Sequence, residues 1–297
     1  MLTSTMASEC VLFLNKNAGL FKLTPGVAKI EDYIRQLGLD AKFRYPESAD
    51  DMSAQIAALV KEDGKTIIVS GGDGTVRLAA QQMAKSDSVL GILPMGTSNN
   101  FATSLHLPIE LAAAICTIQE GVVTEVSLGK IGGTYFTEGA GVGLFADALA
   151  LYGVGTNKNI LRGAYGFLRL LFSLPRSQVT ITLDGEPLME RAAMCTVANS
   201  FRIGQALPIA PEASLTDDML DVVIVGNVRR RELPAYYRAI KTQMHGNLAK
   251  VEFRKARSVT IESHHRLNVH ADDRLIGATP VTITLEPRTL KVMTPCL

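Results

Sequence analysis

Ser70-Gly71-Gly72-Asp73-Gly74-Thr75 stands between two runs of different periodicity. Before it, Thr66-Ile67-Ile68-Val69 is short, apolar and β-branched, the composition of a buried strand. After it, residues 76–83 hold good helix formers, with Leu78 and Met83 at helical spacing. The glycines therefore mark a strand-to-helix turn. Three glycines around one Asp admit backbone angles closed to other residues and let a ligand approach the main chain. Amide N–H groups at the start of the following helix favour an anion, most often phosphate. A tight turn without a ligand is the competing reading of Gly-Gly-Asp-Gly taken alone.

The surroundings repeat this pattern. Residues 10–14 read as a strand that leads into the loop Asn15-Lys16-Asn17-Ala18-Gly19. Val27, Ile30, Ile34 and Leu37 fall at helical spacing, with Gly38 as the stop. Residues 41–45 read as a strand, and Met52, Ile56, Leu59 and Val60 mark an amphipathic helix ending near Gly64. A strand over 89–93 enters the loop Pro94-Met95-Gly96-Thr97-Ser98-Asn99-Asn100, and a helix begins near Phe101. Alternating strands and helices form parallel βαβ units, which bind ligands at the carboxyl ends of their strands. Both glycine-bearing loops lie at that edge.

Beyond about Glu120 strands dominate: 122–126, 134–137, 179–183, 192–198, 220–225, 258–262, 267–270, 281–285 and 290–293. Asp184-Gly185 reads as a hairpin turn. Helices are expected only near 160–174 and 232–243. The expected architecture is an α/β N-terminal domain with a parallel sheet over 1–125 and a mainly antiparallel β-sandwich over 126–297. The last strand is free to pack back on the first domain.

The 297 residues are 47% hydrophobic and 20% charged, the balance of a folded chain large enough for two domains. A net charge of +1 and a pI near 7.7 argue against a nucleic-acid binder relying on bulk positive charge. Cys10, Cys116, Cys195 and Cys296 show no metal spacing and no disulfide framework, which suits a reducing cytoplasm. The first residues carry no signal-peptide pattern, and no stretch approaches the ~20 apolar residues of a membrane span. The slightly positive mean hydropathy of +0.17 then belongs to cores or to an apolar contact surface.

Two loops about twenty residues apart carry the specificity. Gly71 to Thr75, followed by Gly91-Ile92-Leu93-Pro94-Met95-Gly96-Thr97-Ser98-Asn99-Asn100-Phe101-Ala102, resembles the catalytic domain of the diacylglycerol kinase and sphingosine kinase family of lipid kinases. Asn15 to Gly19 resembles the first nucleotide loop, with Lys16 where proline is usual. Gly139-Ala140-Gly141-Val142-Gly143 resembles the glycine-rich segment of the second domain. Asn199, Gly204 and the run from Pro211 through Asp217-Asp218-Met219-Leu220 resemble later family elements. His270-Ala271-Asp272-Asp273-Arg274 with Pro280, Pro287 and Pro295 resembles the closing pair of strands.

The resemblance implies transfer of the γ-phosphoryl group of ATP to a lipid hydroxyl, in a cleft between an α/β domain and a β-sandwich. It implies nucleotide contacts from Asn15, Lys16, Asn17, Ala18, Gly19, Gly71, Gly72, Asp73, Gly74, Thr75, Thr97, Asn99 and Asn100. Asp73 would hold Mg²⁺ directly or through water, and Ser214, Asp217 and Met219 would hold a second, structural cation, Mg²⁺ or Ca²⁺. A lipid substrate, peripheral membrane contact, a cytoplasmic location and no nucleic acid follow, with a homodimer as the assembly left open.

The acidic residues depart from the family pattern. Asn100 and Ser127 stand where the family has Asp, Asp218 stands at the glycine of "DG", and Arg274 falls on the usual general-base Glu. Arg cannot accept a proton at working pH. The catalytic candidates are therefore Asp73, Glu138, Asp272 and Asp273, with Arg274 at the vacated position. A catalytically weak nucleotide- or lipid-binding relative is the second reading, and an NAD kinase, which shares the Gly-Gly-Asp-Gly-Thr turn, is the third.

Other features have plainer readings. The helix near 160–174 is a core-packing element or a lid over a lipid entrance, and Arg229-Arg230-Arg231 a solvated helix start or an anionic-lipid contact. His264, His265 and His270 read as surface or core histidines, and Asp184-Gly185-Glu186 carries no chemistry.

Overall fold

The computed structural model describes residues 10–15, 27–62, 64–152, 177–226 and 228–296. The expected helix near 160–174 and the loop residues Lys16, Asn17, Ala18 and Gly19 lie outside them. The chain forms two compact units, one of Met1–Leu128 with Pro287–Leu297 and one of Gly129–Glu286.

The first unit alternates strands and helices: β1 (Cys10–Leu14), α1 (Val27–Gln36), β2 (Lys42–Arg44), α2 (Ala49–Val60), β3 (Thr66–Gly71), α3 (Asp73–Met83), β4 (Val89–Pro94), α4 (Asn100–Ser104) and α5 (Leu111–Glu120). The strands are parallel in the order β2-β1-β3-β4. Every residue of β1 and β3 is buried, as expected of central strands covered on both faces. Leu12, Leu14 and Ile68 join Ile30 and Ile34 of α1 and Ile115 and Ile118 of α5 in one core. Met52, Ile56 and Leu59 give α2 a buried stripe one turn apart, and Ser48 caps it by accepting from Asp51 N at 3.0 Å. α5 went unread in the sequence; Glu110 caps it, accepting from Ala112 N and Ala113 N.

β5 (Val122–Ile131) runs from the first unit into the second, where β6 (Thr134–Phe136), β7 (Gly139–Gly143), α6 (Leu144–Tyr152), β8 (Ser177–Leu183), β9 (Glu186–Ala192), β10 (Met194–Ala198) and β11 (Leu220–Val225) follow. α7 (Leu233–Lys241), β12 (Val251–Ala256), β13 (Ser258–Ser263), β14 (Asn268–Ala271), β15 (Arg274–Ala278) and β16 (Val281–Thr294) complete the chain. One sheet of this unit is antiparallel in the order β12-β11-β10-β7-β14-β15, and a second layer pairs β16, β13, β8 and β9. Val142, Cys195, Val222 and Val269 of the first layer share a core with Ile181, Val259 and Ile283 of the second, the arrangement of a β-sandwich. The opposite face of the six-stranded sheet is also buried. There Val223 and Val225 share a core with Phe145, Leu233 and Ile240. Double-sided burial explains why β11 reads Leu-Asp-Val-Val-Ile-Val without strict alternation.

Two expectations need correction. Residues 281–293 form one strand, not two: β16 pairs with β13 over residues 281–284 and runs parallel to β4 at Lys291 and Val292. Pro287, which has no N–H to donate, stands where the strand changes partners. The run 192–198 divides into β9 and β10 at Ala193, whose N–H turns to Val225 O at 2.8 Å. The glycine-rich segment, to which no element was assigned from the sequence, is the buried strand β7 followed by α6. The Asp184-Gly185 hairpin joins β8 to β9 as expected, with φ of 48° and 96°.

Candidate functional site

In the first unit the carboxyl ends of β3 and β4 are in register, Gly71 beside Pro94, and Met95 N donates to Gly71 O at 2.9 Å. The two loops then meet main chain to main chain. A Cβ on Gly72 would lie 2.9 Å from Gly96 Cα, and one on Gly96 would lie 2.3 Å from Gly72 Cα. No larger residue fits either place without parting the loops.

Asn99 locks the second loop. It adopts a left-handed φ of 50°, accepts from Gly96 N at 2.9 Å and donates to Gly96 O at 3.0 Å. Asp73, the first residue of α3, reaches across to the start of α4, where Oδ1 accepts from Phe101 N at 3.2 Å. Burial pushes the Asp73 carboxyl up, while N–H groups of Phe101, Asn100 and Asn99 draw it down. Asn100 is fully buried, so the amide at this position spares the fold a second buried carboxylate.

A cleft of about 470 Å³ opens beside these loops. Asn15, Gly72, Gly74, Thr75 and Thr97 line it together with Gly96, so the structure brings together residues from all three strand ends. Asn15 Nδ2 donates to Thr75 Oγ1 at 3.0 Å, tying the first loop to α3. Gly71, Asp73, Asn99 and Asn100 are not among the lining residues; Asp73 and Asn99 instead hold the loops in shape. Sequence reasoning missed Pro46 and Ser48 just before α2, Met52 on α2 and Arg77 on α3, all of which line the cleft. The Ser48 cap was a readable signal, and Arg77 lies one helical turn beyond Asp73. A helix N-terminus and a guanidinium beside glycine backbone suit a polyphosphate.

In the second unit Asp272 is a clasp. Its Oδ1 accepts from Glu138 N (2.8 Å) and Gly139 N (3.2 Å), and Oδ2 accepts from Thr137 N (3.0 Å) and Thr137 Oγ1 (3.2 Å). Asp272 N returns a bond to Gly139 O at 2.7 Å. Glu138 is buried, and its Oε2 accepts from Gly204 N at 2.7 Å. His270 is buried beside them, with Nδ1 3.3 Å from Asp272 O and its ring 4.6 Å from that of Phe145. Burial pulls its pKa down to about 4, so the ring is neutral near pH 7. Asp273 and Arg274 are exposed where β14 turns into β15.

The residues named for a structural cation lie before β11. Asp217 Oδ1 accepts from Met219 N at 3.1 Å, and its Oδ2 meets Lys255 Nζ at 2.7 Å. Ser214 Oγ accepts from Thr216 N at 3.3 Å. Asp218 adopts a left-handed φ of 55°, the conformation for which glycine is the usual residue. Among the described residues no group of three or more His, Cys, Asp or Glu is disposed to hold a metal ion, and no helix is long and apolar enough to cross a membrane.

Comparison with known proteins identifies the family. Residues 9–131 match the family model of the diacylglycerol kinase catalytic domain, and residues 143–294 match that of the YegS C-terminal NAD kinase beta sandwich-like domain. A diacylglycerol kinase of Staphylococcus saprophyticus is 24% identical over 98% of this chain and 96% of its own length. One from Bacillus subtilis is 26% identical over 91% and 90%, and one from Mycobacterium tuberculosis 28% identical over 88% and 87%. A solved diacylglycerol kinase structure from Bacillus anthracis str. Sterne superimposes with a TM-score of 0.70 over 97% of both chains, at 22% identity, a likeness of fold. With both halves matched in this order, this chain belongs to the family that joins a diacylglycerol kinase catalytic domain to a YegS-type C-terminal domain.

Proposed function

We propose that this chain transfers the γ-phosphoryl group of ATP to the hydroxyl of a lipid, diacylglycerol-like or sphingoid. The observation that carries the reading is the Gly72–Gly96 contact beside a cleft lined by Asn15, Thr75, Thr97 and Arg77. Backbone at the glycine turn and the hydroxyls of Thr75 and Thr97 bind the phosphates, and Arg77 adds a fixed positive charge. Phosphoryl transfer asks mainly for such positioning and charge neutralisation. A divalent cation such as Mg²⁺, bound with the nucleotide, would supply part of that neutralisation. Asp73, half-buried with Oδ1 engaged by Phe101, fits a carboxylate that reaches the ion through water.

The acceptor hydroxyl must lose a proton. Asp272 has both oxygens committed to backbone and hydroxyl donors, which disfavours it as base. Arg274 holds its proton at any working pH. We assign the role to Glu138, a buried carboxylate at the head of β7. Lipid as the acceptor rests on the names of the relatives, and it brings with it transient contact with a membrane surface.

The test is incubation with [γ-³²P]ATP, Mg²⁺ and vesicles carrying diacylglycerol, sphingoid bases, ceramide or polyprenol, with NAD in a separate arm. A labelled lipid that is lost in Glu138→Gln, with ATP binding retained, supports the reading. Label on NAD would make the chain an NAD kinase. Nucleotide-dependent thermal stabilisation with no product on any acceptor would make it a binding protein.

A further inference from the structure

The resemblance assigns a structural divalent cation to Ser214, Asp217 and Met219, and the donor set does not fit one. Asp217 Oδ1 is committed to Met219 N and Ser214 Oγ to Thr216 N. The remaining carboxylate oxygen, Oδ2, already faces an ammonium: Lys255 Nζ lies 2.7 Å from it and 3.3 Å from Asp221 Oδ2. A Mg²⁺ or Ca²⁺ ion bonded to Asp217 at the usual ~2.0–2.6 Å would stand against that ammonium and be repelled by it.

The arrangement is built by the fold. Lys255 on β12 is directly opposite Asp221 on β11, so the sheet register sets their proximity. The Asp221 side chain is only 6% exposed, and a buried carboxylate needs a countercharge. Burial pushes the Asp221 carboxyl up while Lys255 draws it down. Burial works against the Lys255 ammonium, and Asp217 and Asp221 more than offset it, so the lysine holds its proton more firmly than usual. Arg257 Nε adds a bond to Asp218 O at 3.3 Å in the same turn.

We infer that the Lys255 ammonium is a built-in cation, fixing the turn before β11 in place of a divalent metal. One ammonium hydrogen-bonds a carboxylate from the turn and ion-pairs with a buried carboxylate from the strand, joining the turn to the sheet without an external ion. The inference does not depend on which substrate the cleft takes, because it concerns only the second unit.

Thermal unfolding of the full chain without nucleotide tests it, in EDTA, in MgCl₂ and in CaCl₂, with metal content measured after dialysis. The wild type is expected to melt at one temperature in all three and to carry no stoichiometric metal. Lys255→Met leaves two carboxylates without their cation. Its melting temperature in EDTA should fall by about 2–4 °C and recover in Ca²⁺ or Mg²⁺, whereas Lys255→Arg should melt like the wild type in EDTA. A wild-type melting temperature that falls in EDTA, or a metal ion retained through dialysis, would overturn the inference, and so would an unchanged Lys255→Met. The wild-type measurements decide the matter even if that variant does not fold.

Discussion

Gly72 and Gly96 touch through their main chains, with room for a side chain on neither: a Cβ on Gly96 would lie 2.3 Å from Gly72 Cα and 2.8 Å from Asn99 Oδ1. The glycine at 72 is therefore needed for the approach of a second loop as well as for the approach of a ligand. Gly96→Ala must part the loops or break the Asn99 clasp. Overpacking of this kind costs about 1–3 kcal/mol. The rise in melting temperature produced by MgATP in the wild type should be largely lost, which differential scanning fluorimetry reads directly.

Asn99 separates two contributions. Its side chain makes both bonds to Gly96, and its backbone sits at φ 50°. Asn99→Gly loses the bonds and keeps the conformation. Asn99→Ala loses both, at a further cost of about 1–2 kcal/mol for a β-carbon in the left-handed region. Urea denaturation should rank the wild type above Asn99→Gly and that above Asn99→Ala; equal values for the two variants would contradict the backbone argument.

Asp272 is expected to matter for stability rather than as a proton acceptor. Asp272→Asn keeps the shape but presents an NH₂ group to donors on Thr137 or on Glu138 and Gly139. Each buried N–H left unsatisfied costs about 1–3 kcal/mol. The urea midpoint should fall well beyond that of Thr137→Val, which gives up only the 3.2 Å hydroxyl bond.

The neutral His270 makes stability depend on acid. Its folded pKa, about 4, lies below the ordinary 6.5, so the unfolded chain takes up the proton first as pH falls. The stabilising difference is whole above pH 6.5, drains away as pH drops towards 4, and amounts to roughly 3 kcal/mol for a shift of this size. Asp73, Asp147 and Asp221, whose carboxyls burial pushes up, act in the opposite sense, gaining stability as pH falls. The measurable quantity is accordingly the difference between wild type and His270→Gln. Denaturant melts at pH 7 and pH 4.5 should show the wild type losing more than the variant, and parallel losses would refute the assignment.

Much of the first unit was legible because its signals are local. The β-branched run at 66–69, the glycines after it and the apolar stripe of α2 each depend on a few neighbouring residues, and the structure has β3, the turn and α2 there. β7 and the continuity of β16 were hidden for equally local reasons. Glycines weaken the strand propensity of β7, and Pro287 reads as a break although the strand continues past it by changing partners. Of the site, Asn15, Gly72, Gly74, Thr75 and Thr97 were read from the loops, while Pro46, Ser48, Met52 and Arg77 entered only through the packing of α2 and α3 around the cleft.

The amino-acid sequence by itself determined the alternation of strands and helices as far as β4, the phosphate-type turn at Asp73 and its partner loop at Asn99. Backbone permissiveness and periodicity are properties of adjacent residues, so they can be read without a fold. Tertiary structure decided what the charged side chains do. Asp272 meets Glu138 N across 134 positions of chain and Lys255 meets Asp217 across 38. Whether a carboxylate is a base, a clasp or a counter-ion depends on which donors and charges surround it once water is excluded. Those neighbours come from distant strands, and the folded register alone brings them together.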